Sequence, residues 1–333
     1  RWMPEQPISH LSDRPVHCPS QPTALYCIEM EEMMLVLLVA CQPPTEPSEK
    51  SEPTIESGTV HFVALGDVGE GNAAQYQVAA AMEAVCSLRD CDFALLLGDN
   101  FYNDGVESVD DEQFQTKFEL PYAGLDLPFY VALGNHDYGN NGYGSDQDQP
   151  DPQVEYTERS EKWILPDRYH RHDAAHASFF ALDTNALMWS TVWSGYEVQA
   201  EWLQGGLGES KALWKIVYGH HPYLSNGPHG PAGAYEGFEG IPVVSGEDVQ
   251  RFVEENVCGQ ADLYLAGHDH VLEWLEPECG TNFGVSGAGA KTSLFEDQGV
   301  PSRFGAETEG FLWVGVEDRR MEIAFYDKEA TLL

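Results

Sequence analysis

Apolar residues in this chain gather into short runs, each closed by glycine or a polar residue. The runs at 61–65 (H-F-V-A-L), 93–97 (F-A-L-L-L), 129–133 (F-Y-V-A-L), 214–218 (W-K-I-V-Y) and 261–266 (A-D-L-Y-L-A) predict short buried strands. Segments of helical length lie between them, at 73–87, 111–118, 196–204 and 246–256. Strands alternating with helices predict an α/β fold. A further strand is expected at 177–182, entered from R-Y-H-R-H-D-A-A-H at 168–176, which reads as a surface loop with His170, His172 and His176 structural or solvated. Towards the C-terminus, 283–287, 310–316 and 321–326 alternate or run apolar, as antiparallel strands completing a second sheet would. There is no internal repeat.

The chemistry sits where the first five runs end. They are followed by G-D-V-G at 66–69, G-D-N-F-Y at 98–102, G-N-H-D at 134–137, the G-H-H of V-Y-G-H-H at 217–221, and G-H-D-H at 267–270. Each motif alone is a common turn. Repeated five times in one strand-then-glycine setting, they supply two aspartates, one tyrosine, one asparagine and three histidines. Glycine lets the chain turn and lets backbone approach a ligand without a Cβ clash, so these side chains are expected along one edge of the sheet. Such a set suits a two-metal hydrolytic centre.

These blocks closely resemble those of the calcineurin-like metallophosphoesterases, and among them the small purple acid phosphatases that include the tartrate-resistant acid phosphatases. The likeness runs from about Val60 to near the C-terminus, and Tyr102 is its discriminating residue. The resemblance implies a four-layer αββα sandwich, two mixed β-sheets flanked by helices. It further implies that Asp67, Tyr102 and His270 hold one metal, that Asn135, His220 and His268 hold a second, and that Asp99 bridges them. Phenolate and carboxylate oxygens suit a hard trivalent ion, so ferric iron is expected at the first site; the second suits Fe2+, Zn2+ or Mn2+. A phenolate bound to ferric iron would colour the protein purple. The implied activity is hydrolysis of phosphate monoesters, on a phosphorylated small molecule or phosphoprotein, by metal-activated water. His136 and His229, the latter in an H-G-P context, are the expected proton carriers. Asp137 is read as orienting His136, and Asp269 as serving its neighbours in the same way, with capping of a loop backbone as the alternative for each. His221, next to an expected ligand, is read as pointing away from the site.

Two features depart from the family pattern. Val68 replaces a tryptophan often found in the first block, and the Gly- and Asp-rich stretch at 139–151 has no counterpart. The stretch is placed at the substrate entrance and read as a solvated loop, since its aspartates lack EF-hand spacing.

The N-terminal region is of another character. An apolar run at 33–40 ends in Leu38-Val39-Ala40-Cys41, which resembles a bacterial lipobox, and Pro, Glu, Ser and Thr dominate from 42 to 57. Residues 1–40 are accordingly read as a signal-like or non-native leader, 41–58 as a flexible tether and 59–333 as the catalytic domain. Glu31 and Glu32 stand where a signal is basic, so residues 1 to about 29 are read as upstream of the true start or part of a fragment. The expected location is the bacterial periplasm or cell surface, anchored to the membrane by lipid on Cys41.

Cys86, Cys91, Cys258 and Cys279 allow three disulfide connectivities, of which 86–91 with 258–279 is preferred; reduced buried thiols are the alternative. A formal charge of −38 with only 17 basic residues excludes affinity for nucleic acid, because phosphate backbones require Lys and Arg. A monomer is expected. Two other functions stay open: a phosphodiesterase or nucleotidase on the same core, and a catalytically silent surface-binding lipoprotein.

Overall fold

In a computed structural model the described residues are 58–333. The leader read at 1–40 and all but the last residue of the 41–58 tether lie outside them. Among the described residues the first four strands, β1 (Thr59–Leu65), β2 (Phe93–Leu97), β3 (Phe129–Ala132) and β4 (Trp163–Ile164), form a parallel row. The next seven are β5 (His170–Ala174), β6 (Ala177–Ala181), β7 (Trp214–Tyr218), β8 (Leu263–Ala266), β9 (Leu272–Leu275), β10 (Asn282–Ser286) and β11 (Ser302–Ala306). They make a second sheet in the order β11-β9-β10-β8-β7-β6-β5. The last two, β12 (Gly310–Glu317) and β13 (Arg320–Asp327), return to the first sheet, whose order is β13-β12-β1-β2-β3-β4.

That return corrects the expectation for 310–316 and 321–326, whereas the strand expected at 283–287, β10, does join the second sheet. The parallel row leaves one side of β1 unpaired, and β12 covers it antiparallel from Thr59↔Glu317 to Ala64↔Leu312. An open edge of buried apolar strand would otherwise expose a row of unpaired backbone groups. Seven of the eight residues of β12 are buried, as a strand covered on both faces requires.

Helices α1 (Ala73–Arg89), α2 (Asp151–Glu155), α3 (Thr184–Met188), α4 (Tyr196–Glu209), α5 (Pro242–Ser245) and α6 (Glu247–Asn256) complete the layers. The period-two alternation of the strands decides which residue joins which core. Val60, Phe62 and Ala64 of β1 and Phe93, Leu95 and Leu97 of β2 meet Phe179, Ile216, Tyr218 and Leu265 between the sheets. Val63, Leu65, Ala94 and Leu96 face the other way, onto Val78, Met82 and Val85 of α1. On the far side, Phe180, Val217 and Tyr264 pack on Leu203 of α4 and Val249, Phe252 and Val253 of α6. The result is the four-layer αββα sandwich, two mixed sheets between helices. Asn72 begins α1 by accepting a hydrogen bond from Gln75 N at 2.9 Å. The helix expected at 111–118 shrinks to one π-helical turn, Gln115–Glu119. The Asp111 carboxylate accepts from Glu107 N and Gln113 N and holds the preceding chain in a turn.

Both disulfides take the sequence-adjacent pairing, Cys86–Cys91 and Cys258–Cys279. The loop read at 168–176 is instead an edge strand, β5, paired antiparallel with β6. Its histidines serve as flat rings turned to the inter-sheet space: His170 bonds the Val131 carbonyl of the other sheet at 2.9 Å, and His172 stacks on Tyr130 with centroids 3.5 Å apart.

Both ring nitrogens of His172 are buried without partners, and burial, aided by the charge of His170, holds its pKa down at about 2. In the unfolded chain the same ring titrates near ~6.5. As pH falls below that value the unfolded state gains a proton that the fold refuses, so stability drops, by about 2 kcal/mol at about pH 5. His172→Phe should retain that share between about pH 7 and about pH 5 in urea denaturation. Equal losses in the two proteins would refute this account.

Candidate metal centre

The C-terminal ends of β1, β2 and β3 from one sheet and of β7 and β8 from the other come together. The expected ligands therefore gather across two sheet ends, not along one. Two glycines show why the strand-then-glycine plan recurs. Gly98 has φ +87, and a Cβ there would lie 2.6 Å from His220 Nδ1; one on Gly267 would lie 2.6 Å from Asp67 Oδ2. Asp67, Asp99 and His268 have φ of 60, 53 and 69, the left-handed region that side-chain-bearing residues seldom occupy. Such backbone strain concentrates at functional sites.

Two groups of side chains form, with Asp99 between them. In the first, Tyr102 Oη donates to Asp67 Oδ1 at 2.8 Å, and His270 Nε2 lies 3.4 Å from that oxygen and 3.5 Å from the phenol. In the second, His220 Nε2 lies 2.9 Å from Asn135 Oδ1 and 3.1 Å from His268 Nδ1. Asp99 Oδ1 is 3.4 Å from His220 Nε2. Ligand atoms of Asp67, Asp99 and His220 all fall within 4.8 Å of one another.

The donor inventory at the second group calls for a cation. His220 donates its Nδ1–H to the Leu97 carbonyl at 2.9 Å, so Nε2 carries a lone pair. Asn135 donates through Nδ2 to the Gly142 carbonyl at 2.7 Å, which turns Oδ1 inward as an acceptor. An imidazole nitrogen, an amide oxygen and a carboxylate thus face one another; His136 N donates to Asp99 Oδ1 at 2.9 Å, while His220 Nε2 and Asn135 Oδ1 have the His268 ring nitrogen, 3.1 Å from Nε2, as their nearby side-chain partner among the described residues. Asp67 and Asp99 are buried, and their ion-pair partners among the described residues are histidines. Burying two carboxylates this way is costly unless a cation joins them.

Titration behaviour points the same way. Burial penalises the Asp99 carboxylate, yet the charges of His220 and His136 outweigh it and hold the group far below the usual carboxylate range. Burial pushes the Tyr102 phenol well above its ordinary value, and the charges of Asp67 and Asp99 push it further. It would ionise only beside a strong cation. Burial and neighbouring imidazoles keep His268 and His221 neutral, the form that ligates.

His136 and His229 both line a cavity of about 470 Å³ that opens onto His268 and Asn135. The His229 ring lies 4.3 Å from that of His268; its backbone N donates to Asp269 Oδ1 at 2.8 Å, and its Nδ1 contacts the Glu236 carboxylate. Asp269 therefore caps the backbone of the His229 loop. Asp137 does not orient His136, whose Nδ1 contacts the Asn103 carbonyl at 2.8 Å. Its buried carboxylate instead accepts from the backbone N–H groups of Asn100, Phe101 and Gly134, stitching the G-D-N-F-Y block to the G-N-H-D block. Burial and the charge of Asp99 raise its pKa to about 7.

Sequence reasoning missed two contributors. His221 is buried against the site, its ring 4.7 Å from that of His268. Thr184 sets its position: Oγ1 accepts from His220 N and His221 N and pairs with His221 Nδ1 at 2.9 Å. The signal was the apolar run of β6 followed by Asp-Thr-Asn, the same plan without glycine. The 139–151 loop does border the cavity, through Asn141, Gly142 and Tyr143.

The model of the calcineurin-like phosphoesterase family matches residues 60–272. The chain belongs to the calcineurin-like phosphoesterase family. Purple acid phosphatase 3 of Arabidopsis thaliana is 31% identical over 300 residues, covering 83% of this chain and 76% of that one. Tartrate-resistant acid phosphatase type 5 of Oryctolagus cuniculus is 28% identical, covering 81% and 87%. The solved structure of GAP50, the anchor in the inner membrane complex of Plasmodium, superposes with a TM-score of 0.63 at 20% identity, covering 81% of this chain and 85% of that one. That of PhoD gives 0.57 at 14% identity, covering 84% and 72%. The family is one of metal-dependent phosphoesterases, and the curated relatives are named acid phosphatases. This calcineurin-like phosphoesterase is accordingly a metal-dependent hydrolase of phosphoesters.

Removing Asp137 leaves three buried N–H groups without an acceptor, at about 1–3 kcal/mol each. Asp137→Ala should lower stability by about 3 kcal/mol or more and weaken metal binding by about 10- to 100-fold. Denaturant midpoints and metal titration check both; a variant with wild-type metal affinity would contradict the role given to this carboxylate.

Proposed function

We propose that the protein is a phosphomonoesterase working through a two-metal centre. Asp67, Tyr102 and His270 would hold ferric iron, Asn135, His220 and His268 would hold Fe2+, Zn2+ or Mn2+, and Asp99 would bridge the two. The observation that carries this reading is the apposition of His220 Nε2, Asn135 Oδ1 and the buried Asp67 and Asp99 carboxylates, ligand atoms gathered where a cation would satisfy them. Bound there, two cations neutralise a phosphate and lower the pKa of water, the chemistry of in-line phosphoryl hydrolysis.

The chain's own residues handle the leaving group. Burial lowers the His229 pKa, but the bond to Glu236 and the charge of Asp269 outweigh it and hold the ring above its ordinary value. With Nδ1 committed to Glu236, Nε2 is the nitrogen that delivers a proton to the departing alkoxide. His136, against Tyr102 and Asp99, is the second histidine within reach of the substrate.

Two disulfides fit an oxidising compartment, in line with export and with a lipid anchor on Cys41, a residue outside the described ones. Fractionation of cells expressing Cys41→Ala tests the anchor: the variant should leave the membrane fraction, and its retention there would rule the anchor out. Substrates would be phosphorylated small molecules or phosphoproteins, without nucleic-acid affinity, in keeping with a cavity that no lysine or arginine among the described residues lines.

The activity test is spectroscopic and kinetic together. Protein loaded with iron should show a visible band that Tyr102→Phe abolishes, bind about two metals per chain, and hydrolyse a chromogenic phosphomonoester. His229→Ala should lower kcat by about 10²- to 10⁴-fold while leaving the band in place. A colourless protein active on diesters alone would overturn the reading.

A further inference from the structure

The cavity at the metal centre has two chemically distinct parts. His136, His229, His268 and Asn135 make a polar end suited to phosphate. An apolar part is made by Met188 and Trp189 at the end of α3, by Phe238, by Val243 and Val244 of α5, and by Tyr143 from the 139–151 loop, with Asn141, Asn185 and Glu236 as polar groups on its border. Trp189 is held rigid by stacking on Trp193, which stacks in turn on Tyr138, with centroids 5.4 and 5.6 Å apart. Phe238 is 50% exposed and Tyr143 is 78% exposed, although both are large apolar groups. Such surface beside a polar site marks a place for ligand.

Charge sharpens the choice. Among the described residues no lysine or arginine lines the cavity, so a second phosphate or a carboxylate on the substrate would find no counter-ion from them there. Lys291, the lysine lying over the Tyr102 ring, is engaged by Glu70 at 3.0 Å. The Glu236 carboxylate also reaches the cavity and repels an anionic leaving group. Nucleoside diphosphates and sugar phosphates with acidic substituents are disfavoured on both counts.

We infer that the substrate is the phosphate monoester of an uncharged aromatic alcohol, its ring seated against Trp189 and Phe238 while Glu236 turns anionic leaving groups away. This rests on the phosphomonoesterase reading above. The balance is that of hydrolysis: the oxygen of water forms a bond to phosphorus, the bond from phosphorus to the aryl oxygen breaks, and the phenoxide takes a proton to leave as the phenol beside inorganic phosphate.

The experiment compares naphthyl phosphate, phenyl phosphate and ADP on the metal-loaded enzyme, since naphthol and phenol are leaving groups of similar acidity and differ mainly in apolar area. Naphthyl phosphate should exceed phenyl phosphate in kcat/KM by on the order of tenfold, mainly through KM, from the extra area buried, and ADP should be the poorest. Trp189→Ala should bring the naphthyl-to-phenyl ratio close to one. Phe238→Ala, at a half-exposed position where loss of the ring leaves the core intact, should reduce the same ratio. Glu236→Gln, which keeps a hydrogen-bonding group beside His229, should raise ADP turnover relative to phenyl phosphate. A wild-type ratio near one, or a ratio that neither ring truncation changes, would overturn the inference while phenyl phosphate hydrolysis upheld the monoesterase reading. Failure to cleave any of the three esters, with a diester cleaved instead, would remove that underlying reading and this inference together.

Discussion

Two buried carboxylates with no lysine or arginine beside them set the terms for this protein. Asp67 and Asp99 lie at the ends of adjacent strands, and their ion-pair partners among the described residues are histidines. Around Asp99 the Nε2 of His220 and the amide oxygen of Asn135 crowd further ligand atoms together. An arrangement of this kind repels itself unless cations occupy it. The local strain, with Asp67, Asp99 and the neighbouring His268 in left-handed backbone, is carried by a core rigid enough to over-determine it.

The scaffold earns its precision from close approach. Strands from two sheets end within contact of one another, and glycine at each end removes the side chain that would keep them apart. The buried Asp137 binds two of the loops through their backbone N–H groups, so the position of Asp99 and Tyr102 depends on a carboxylate that never reaches the cavity. Thr184 does the same on the other sheet, tying His220 and His221 to the start of α3. Support of this sort is how ligand groups keep their aim.

Beyond the metal centre, the cavity joins a charged, histidine-rich end to an aromatic one. The Glu236 carboxylate stands at their junction, holding His229 and facing whatever leaves the phosphate. On the proposed function one side chain would thus bear on proton delivery and on substrate charge, two properties that would otherwise be set independently.

The sequence by itself determined the five strands that carry the expected ligands, the expected ligand set and the family, because each of those ligands follows a short apolar run and a glycine within the same local stretch. The ranges of β2 and β7 and the pairing of Cys86 with Cys91 and of Cys258 with Cys279 were legible for the same reason: local pattern and short separation suffice. What only the tertiary structure decided involves partners far apart in the chain. The choice of β12 as neighbour of β1 follows from an unpaired edge that no local pattern reveals. The polar text of β5 reads as a loop until His170 and His172 are seen as rings facing the space between the sheets. Asp137 sits next to His136 in sequence yet points to the backbone of Asn100 and Phe101, and His221 turns towards His268 because Thr184 holds it there. Sequence neighbours share a backbone, but the direction of a buried side chain is set by the hydrogen-bond partner it must find, and that partner is supplied by the fold.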